Sequence, residues 1–430
     1  MKKKCIVLFV LLLLTGCSDY YKTEVLEETV TKDDVINEIL SYDLGSDDID
    51  YDFLEYIANN YELDSLLDLK SVLLSDSYSL ESWHDITGNS YNVLIDLYNN
   101  NYQDKDNVKV VDDVKENITI NFVGDISLAD NWEIMPYYDS RNEKVYGILS
   151  KDVVDIMNSA DIMVANSEFA FSDRGSPLAK KYYTFRAKPE RVSIYHEMGI
   201  DLVTIANNHA YDYGEDAFLD TLDTLDNANI ARVGGGRNIE EASRPYYYII
   251  NGYKIAFVAA TRAEKFILTP EAKENSSGVM RCYDPALLIE TIEKTKDNSD
   301  FVILLVHWGK ESSHQLEDVI LETGKKYVDA GADLIVGAHA HVLQGMEYYN
   351  DKLIAYNLGN FIFNKKTMDT GILSMSLSYD GELSYNFIPC LQSNAKTTLL
   401  YDDDRERVID FMNDHSINVN VDSEGNILKK

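Results

Sequence analysis

From Ile118 onward, short apolar runs alternate with longer segments whose apolar residues recur at helical spacing. We predict strands in these runs: ITINFVGDI, DIMVANSEF, DLVTIANN, KIAFVAAT, FVILLVHWG, DLIVGAHAH and KLIAYNLGNFIF. We predict helices in the segments between them: VYGILSKDVVDIMNSA, GEDAFLDTLDTLDNAN, DPALLIETIEKTK and LEDVILETGKKYVDAG. Strands that alternate with helices in this way are typical of an α/β domain.

The regions on either side of this alternation have different patterns. Residues 18–115 place acidic, tyrosine and leucine residues at spacing compatible with helices and contain no chemical motif, so we predict a small, acidic, helical N-terminal region. We place the α/β domain at residues 116–392, whose last segment, GILSMSLSYDGELSYNFIPCLQ, alternates like an antiparallel hairpin. Residues 393–430 are predicted to be a charged tail with one helix.

The first 17 residues have the pattern of a targeting signal. Three lysines precede a short apolar run, which ends in the tetrapeptide LTGC. Because the run is too short to span a bilayer comfortably, a signal peptide is favoured over a transmembrane helix. The tetrapeptide resembles a bacterial lipobox, which implies a lipid on Cys17 and a mature chain held on the extracellular face of the cell membrane. A plain signal peptide that happens to contain a cysteine is the alternative.

The formal net charge of -34 argues against polyanions as binding partners. Nucleic acids and anionic membrane surfaces are polyanions that bind basic patches, so neither is expected to bind this chain directly. If Cys5 leaves with the signal and Cys17 carries a lipid, only Cys282 and Cys390 remain. They could pair with each other, but neither belongs to a CxxC motif, so cysteine-based zinc binding is not supported.

Polar residues of metal-ligand type follow most of the predicted strands. Because ligands collect at the carboxyl ends of strands in α/β sheets, five strand ends are expected to converge on one site. Histidine and carboxylate ligands suit zinc, manganese or iron, and a shared carboxylate can bridge two ions about 3.5 to 4 Å apart. If the HAH segment is extended, His339 and His341 point to the same side, and one can serve each ion. The residues are Asp125, Asn166 with Glu168, Asn207 with Asn208 and His209, His307, and His339 with His341.

Each of these pieces also has a plainer interpretation. Asp125 can cap a turn or a helix, and His307 can be a hydrogen-bonded histidine at a strand end. The HAH segment can lie on the surface, and NNHAYDYGED can cap the helix that follows it. The ordered set, rather than any single member, favours a metal site.

Longer stretches carry a family resemblance, and they occur in the family's order: NFVGDISL, ADIMVANSEFAF, YYTFRAKPERV, GIDLVTIANNHAYDYGEDAFLDTLDTL, VGGGRNIEEASRP, LLVHWGKE and AGADLIVGAHAHVLQGMEYYNDKLIAYNLGNFIF. Residues 118 to about 390 resemble the capsule synthesis protein CapA family, which is linked to poly-gamma-glutamate production, within the calcineurin-like metallophosphatase superfamily. The resemblance implies a metallophosphatase-like β-sandwich flanked by helices.

The resemblance also implies roles for individual residues. Asp125 and His341 would bind one divalent ion, and Asn208, His307 and His339 the other, with Glu168 as the bridging carboxylate. His209 would act on the reacting group as general acid or charge stabiliser, and Asp212 would orient His209 or cap the helix. Arg186 is a further catalytic candidate with a surface role as its alternative, and Asn166 and Asn207 are expected to contact the substrate. The superfamily commonly has a histidine where this chain has Ser127, which puts full occupancy of the first ion site in question.

Two functions follow as hypotheses. The first is a membrane-anchored, extracellular hydrolase in capsule or poly-gamma-glutamate biosynthesis, which uses two divalent ions (manganese, zinc or iron) to cleave a phosphoester or related bond. The second is a non-catalytic subunit that holds an anionic polymer for a membrane synthase complex. The first hypothesis needs the full ligand set, whereas Ser127 favours the second. The expected partners are therefore the cell membrane through the lipid and a synthase complex, with no nucleic acid.

Overall fold

The structure is a computed structural model. It describes residues 31–41, 49–61, 63–73, 75, 82–99, 106–111, 115–264 and 268–430. The signal peptide and lipidation predicted for residues 1–17, with Cys5 and Cys17, lie outside these ranges. None of the helices formed by the described residues is both long and apolar enough to cross a membrane.

The elements within these ranges are numbered in chain order. The α-helices are α1 (Lys32–Leu40), α2 (Tyr51–Asn60), α3 (Leu63–Leu73), α4 (Ser82–Thr87), α5 (Tyr91–Tyr98), α6 (Met135–Ser140), α7 (Lys151–Ser159), α8 (Ser193–Glu197), α9 (Glu215–Asn227), α10 (Ile239–Ser243), α11 (Ala286–Lys296), α12 (Asp318–Asp329) and α13 (Asp402–His415). Short 3-10 helices span Lys144–Gly147 and Pro189–Val192.

The strands are β1 (Val108–Val111), β2 (Asn117–Ile126), β3 (Ile162–Ser167), β4 (Ala170–Phe171), β5 (Arg186–Ala187), β6 (Leu202–Thr204), β7 (Ala231–Val233), β8 (Gly235–Gly236), β9 (Tyr246–Ile250), β10 (Tyr253–Thr261), β11 (Gly278–Val279), β12 (Phe301–His307), β13 (Leu334–Ala338), β14 (Leu343–Tyr349), β15 (Lys352–Leu358), β16 (Asn360–Ile362), β17 (Met368–Ser378), β18 (Leu383–Ser393), β19 (Lys396–Leu399), β20 (Val419–Val421) and β21 (Ile427–Lys429).

The chain divides into two compact units between Lys70 and Ser71. In the first unit, α1 begins at Thr31, whose hydroxyl accepts from the backbone N–H of Asp34 while the Asp34 carboxylate accepts from the backbone N–H of Thr31. This reciprocal capping satisfies donors that the helix itself leaves free. The apolar faces of α1 and α2 are buried, as the helical spacing of their sequences predicts.

The second unit begins earlier than the domain boundary predicted at residue 115. Strand β1 pairs in parallel with β9, and Lys254 of β10 forms an ion pair with Asp96 of α5. His84 of α4 lies 2.7 Å from the backbone carbonyl oxygen of Asn251. The described residues between 82 and 111 therefore belong to the second unit, because they contact strands far along the chain.

Two sheets form the body of the second unit. One has the strand order β1-β9-β10-β12-β13-β15-β14, and the other has the order β19-β18-β17-β2-β3-β6-β7, with β16 beside β2. Strands β10, β12, β13 and β15 are mutually parallel, as are β2, β3, β6 and β7. Parallel strands in both sheets agree with the alternation of strands and helices in the sequence.

Side chains from both sheets meet in one apolar layer. Phe122 and Val164 of the second sheet lie in the same buried cluster as Phe257 and Ile303 of the first. Along β12 the side chains alternate, with Ile303 and Leu305 in this inner layer and Val302, Leu304 and Val306 in the outer layer beneath α11 and α12. Helices α7 and α9 cover the other sheet. The predicted α/β sandwich flanked by helices is confirmed.

The C-terminal segment is more structured than the predicted tail. The hairpin β17–β18 and one helix, α13, are present as predicted, but β19 also extends the sheet beside β18 and β20 pairs with β21. Val408, Ile409 and Met412 of α13 are buried in the inner apolar layer. Their helical spacing places them on one face of α13, which explains why this charged segment packs on the domain.

Cys282 and Cys390 are both buried and free. They belong to different apolar clusters, so the pairing left open by the sequence does not occur.

Candidate metal centre

The six side chains predicted to bind metal are contributed by strand ends and loops of both sheets. In the register of the sheets, Asp125 pairs with Asn166, and His307 pairs with Ala338. Five of the six form two groups whose ligand atoms lie within 4.8 Å of one another. The groups are Glu168, His307 and His339, and Asp125, Glu168 and His341. Glu168 belongs to both, which is the arrangement expected of a bridging carboxylate.

Glu168 follows β3 directly and is 0% exposed. Its Oε1 atom lies 3.6 Å from His307 Nε2, 3.8 Å from His209 Nε2 and 3.9 Å from His341 Nε2. Burial, and then the charge of Asp125, raise the pKa of Glu168 well above its usual value. A buried carboxylate in this position is stabilised in its charged form only by cations beside it.

Asp125 lies near the end of β2 and is fully buried. Its Oδ1 accepts from Asn166 Nδ2 at 2.7 Å, and its Oδ2 lies 3.1 Å from His341 Nδ1. Burial acts to raise the pKa of Asp125, but the hydrogen bond and charge of His341, with the Asn166 hydrogen bond, lower it overall. Asp125 is therefore held as a carboxylate inside the cluster, where it also accepts from the backbone N–H of His339 at 3.3 Å.

The HAH segment is not extended. Strand β13 ends at Ala338, and His339 and His341 have φ values of 95° and 60°. The argument from extended geometry is therefore wrong, although the two imidazoles still divide between the two groups. Left-handed backbone is uncommon for histidine and costs of order 1–3 kcal/mol, so the surrounding contacts must hold it.

These contacts differ between the two histidines. His341 Nδ1 lies 2.8 Å from Asn360 Oδ1 as well as beside Asp125, and the latter contact raises the pKa of His341 against the opposing effect of burial. Burial, followed by the charge of His341, lowers the pKa of His339 to about 3. His339 is therefore neutral at physiological pH, which is the form that binds metal.

Asn208 lies beside the group that contains His307. Its side-chain Oδ1 is 2.8 Å from His307 Nε2. Its backbone carbonyl accepts from Thr269 Oγ1 at 2.6 Å and from Lys181 Nζ. The structure thus brings Asn208 together with the predicted ligands of the second ion, and its assignment to that ion stays a prediction.

Asn166 and Asn207 are placed differently from the prediction. Asn166 Nδ2 donates to Asp125 and lies 3.2 Å from His307 Nδ1, while its Oδ1 accepts from Asn207 Nδ2 at 3.1 Å. Asn207 Oδ1 accepts from the backbone N–H of His209 at 3.0 Å. Both amides are buried and bonded to protein atoms. In the structure both amides support the residues around them, and their predicted contact with a substrate stays a prediction.

His209 and Asp212 form a buried pair. His209 Nδ1 is 2.7 Å from Asp212 Oδ2, which also accepts from the backbone N–H of Phe185 at 2.6 Å. The other imidazole nitrogen faces Glu168. Burial lowers the pKa of His209, and Asp212 opposes this effect. The N-cap of α9 is Gly214, and no side-chain hydrogen bond caps this helix, so Asp212 does not cap it. Its contact with His209 corresponds to the other predicted role, that of orienting the imidazole.

Arg186 does not join these contacts. Its guanidinium stacks on the Tyr213 ring at 4.2 Å and donates to the backbone carbonyl oxygen of Arg174 at 2.8 Å. The buried cation beside His209 is instead Lys181, whose ammonium lies 2.9 Å from Asp212 Oδ1. Sequence reasoning missed Lys181, and also Asn360 beside His341. The sequence indicated these two residues only by their place relative to the stretches that carry the family resemblance. Lys181 directly precedes YYTFRAKPERV, and Asn360 lies within YNLGNFIF.

Ser127 is buried one residue beyond β2. Its hydroxyl has no hydrogen-bond partner within the part of the chain that the structure describes. The first group therefore has one candidate ligand fewer than the superfamily pattern implies.

The donor set fits divalent metal ions. Glu168 Oε1 and His339 Nδ1 are buried polar atoms without a hydrogen-bond partner among the described residues. Such atoms cost free energy unless something binds them. Imidazole and carboxylate donors gathered around a shared carboxylate suit zinc, manganese or iron.

The fold and these contacts define a class of protein, namely an α/β sandwich with a candidate two-ion centre at the carboxyl ends of its parallel strands. The family described as "Bacterial capsule synthesis protein PGA_cap" matches residues 119–365. The chain belongs to this family, and the CapA resemblance is confirmed.

Individual relatives agree with this membership. The capsule biosynthesis protein CapA of Bacillus anthracis is 30% identical over 285 residues, which cover 64% of this chain and 67% of that protein. The PGA biosynthesis protein CapA of Bacillus subtilis (strain 168) is 30% identical over 277 residues, or 63% of this chain and 71% of that protein.

Among solved structures, the NAD nucleotidase of Haemophilus influenzae is similar with a TM-score of 0.38 and 11% identity, covering 70% of this chain and 64% of that one. A TM-score this low does not by itself establish a common fold.

Proposed function

We propose that this protein is a metal-dependent hydrolase that cleaves a phosphoester or related bond in bacterial capsule or poly-gamma-glutamate biosynthesis. The observation that carries the proposal is the position of Glu168, shared between two ligand groups and faced by His209. Membership of the capsule synthesis family supports the biological setting. The lipobox pattern supports a lipid-anchored protein on the extracellular face of the membrane.

The two groups hold the ions and the remaining residues act on the substrate. Divalent ions at such a centre supply activation of water and neutralisation of the charge that develops on the substrate. Asp125 and His341 would hold one ion, Asn208, His307 and His339 the other, and Glu168 both. His209 keeps Nδ1 directed at Asp212, so Nε2 is the atom that would act on the substrate. The imidazolium form, which Asp212 favours against the effect of burial, would give its Nε2 proton to the leaving group or stabilise developing negative charge.

A non-catalytic role is the second candidate, and Ser127 favours it. A serine in place of a histidine ligand weakens the first ion site, and a centre with one well-held ion can bind an anionic polymer without cleaving it. The protein would then present polymer to a membrane synthase complex. The His209–Asp212 pair favours the hydrolase, since binding alone does not require an oriented imidazole.

One experiment tests the proposed centre. Metal content is measured by elemental analysis, and turnover of bis(p-nitrophenyl) phosphate is followed, for wild type and for Glu168→Ala, His307→Ala and His341→Ala. We expect Glu168→Ala to lose the most metal because it touches both ions, while the histidine variants each lose mainly one. Equal, high metal content in all three variants contradicts the two-ion centre. Full metal content without turnover of any phosphoester in wild type favours the binding subunit.

A further inference from the structure

Lys181 is a buried cation that connects three separate segments. Its side chain is 6% exposed, and Nζ lies 2.9 Å from Asp212 Oδ1 and 3.3 Å from Glu264 Oε1. Nζ also donates to the backbone carbonyl of Asn208. The contact with the Asn208 carbonyl is a hydrogen bond, whereas the two carboxylates pair with the ammonium by charge.

The acceptors belong to the two functional halves of the candidate centre. Asn208 contacts His307 of the second ligand group, whereas Asp212 holds the imidazole of His209. One side chain thus touches both the residue predicted to bind an ion and the residue that orients the proton donor.

The third acceptor brings in the loop after β10. Glu264 has a φ of 56°, and its backbone carbonyl accepts from Arg281 at 2.6 Å. Arg281 also donates to the backbone carbonyl of Thr269 at 3.1 Å, and the Thr269 hydroxyl donates to the same Asn208 carbonyl that Lys181 holds. The carbonyl of Asn208 is therefore fixed by two donors from different parts of the chain.

Other roles fit Lys181 less well. A lysine that binds a substrate anion needs access to solvent, whereas the ammonium of Lys181 is enclosed by two carboxylates and a backbone carbonyl. A role in stability alone is also less favoured for Lys181, because the desolvation of a buried ion pair offsets most of its Coulomb attraction. The geometry instead resembles the outer contacts that orient metal ligands, whose loss typically costs about 10–100-fold in metal affinity or activity.

We propose that Lys181 is a positioning residue that holds Asn208 against the second ion site and Asp212 against His209 at the same time. The catalytic part of this inference rests on the proposed hydrolase function, whereas the metal-binding part rests on the ligand groups alone. Without the ammonium, Asp212 Oδ1 loses the cation that it contacts, and the Asn208 carbonyl keeps only Thr269.

The test compares Lys181→Met and Lys181→Arg with Lys180→Met, the control at the exposed neighbouring lysine. The full-length chain, purified in detergent and stripped of metal, is titrated with Mn²⁺. We expect Lys181→Met to weaken one of the two binding steps by about 10–100-fold and to leave the other unchanged. Lys181→Arg keeps the charge with a different shape and should fall between Lys181→Met and wild type, while Lys180→Met should match wild type.

Turnover of the phosphodiester gives the second readout. We expect Lys181→Met to lower kcat by about 10–100-fold with little change in KM, because a positioning residue acts through Asn208 and Asp212 and not on the substrate. Thr269→Val provides a variant that keeps the ion pairs. It removes the other donor to the Asn208 carbonyl and should weaken the same binding step by a smaller factor. If Lys181→Met does not fold, Lys181→Arg and Thr269→Val decide the question.

The outcomes separate this inference from the proposed function. Wild-type Mn²⁺ binding by Lys181→Met overturns the positioning role even if the wild-type protein hydrolyses the substrate. Weakened binding by Lys181→Met in a protein whose wild type shows no hydrolysis supports the positioning role and rejects the hydrolase. A wild-type protein that binds neither Mn²⁺, Zn²⁺ nor Fe²⁺ in the same titration rejects both.

Discussion

At the residue scale, neighbours in the NNHAYDYG segment have different partners and therefore different expected roles. Asn207 points inward to Asn166, Asn208 contacts His307, and His209 contacts Asp212 and faces Glu168. One short loop thus supports the ligands, contributes a candidate ligand and supplies a candidate proton donor.

Substitutions at adjacent positions should separate binding from catalysis. His209→Asn removes a group that acts mostly in the transition state, so turnover should fall by about 10²–10⁴ while metal content, fold and KM stay nearly unchanged. Asn208→Ala should instead lose the second ion, with activity partly restored by excess metal. Elemental analysis and steady-state kinetics provide the measurements. Loss of metal from His209→Asn as complete as that from Asn208→Ala would show that His209 is a ligand.

At the element scale, the site depends on close approach between the end of β2 and the loop between β15 and β16. The backbone N–H of Asp125 donates to the Gly359 carbonyl at 3.0 Å. A Cβ atom at Gly124 would lie 1.9 Å from that same carbonyl oxygen. Gly124 therefore allows the backbone contact that positions Asp125, and no side chain fits there without moving β2 or β16.

Two glycines near the site should respond differently to alanine. The added Cβ atom of Gly124→Ala would push β2 away from Gly359. We therefore expect a loss of about 3 kcal/mol or more in the free energy of unfolding, with weakened binding of the first ion. Gly214→Ala meets no atom within 4 Å, but its φ of 85° is unfavourable for alanine and should cost about 1 kcal/mol. Urea denaturation measures both losses. A cost for Gly214→Ala as large as that for Gly124→Ala would show that packing at β2 is not the dominant effect.

At the scale of the whole molecule, burial of the centre couples metal binding to stability. In the metal-free protein the pKa values of Glu168 and His341 are raised, so the folded state keeps protons that the unfolded chain releases. Stability then falls as pH rises through the usual values of these groups and up to their raised ones. The lowered pKa values of His307 and His339 act in the opposite direction, but their contribution is complete above the usual histidine pKa of 6.5.

Chelation should therefore make the protein more sensitive to alkaline pH. As pH rises above 6.5 we expect the Tm of the metal-free protein to fall, and the gap from the metal-loaded protein to widen, because bound ions replace the retained protons. Differential scanning calorimetry measures both. Metal-free Glu168→Gln should show a shallower decline, since it lacks the buried carboxyl. Parallel curves for loaded and stripped wild type would contradict this coupling.

The membrane anchor also belongs to the whole molecule. A lipid on Cys17 would provide membrane affinity that the acidic chain lacks, and affinity rises with the number of buried methylene groups. Cys17→Ala should release the protein from the membrane fraction or leave an unprocessed precursor, as seen by fractionation and mass spectrometry. Ser18→Ala, beside the cysteine, should stay anchored. A mature, membrane-bound Cys17→Ala protein would reject the lipobox interpretation.

The sequence alone determined the main strands and helices of the α/β domain and indicated which of their ends would meet. Apolar runs such as FVILLVH form strands because both faces are buried, and segments such as EDAFLDTLDTLDN form helices because their apolar residues share one face. The parallel arrangement then places strand ends together, which is why residues as far apart as Asp125 and His341 were predicted to meet. These inferences depend on local periodicity and on one general rule of topology, so they need no knowledge of distant contacts.

Only the tertiary structure decided what surrounds those ligands. The left-handed backbone of His339 and His341, the inward-facing amides of Asn166 and Asn207, and the ammonium of Lys181 each depend on partners that are distant in sequence. The same reason applies to β1 and α13, which pack against strands far along the chain. A residue's type and spacing limit the bonds it can make, but packing decides which of them form, because a buried polar group must take the partner that the fold brings within reach.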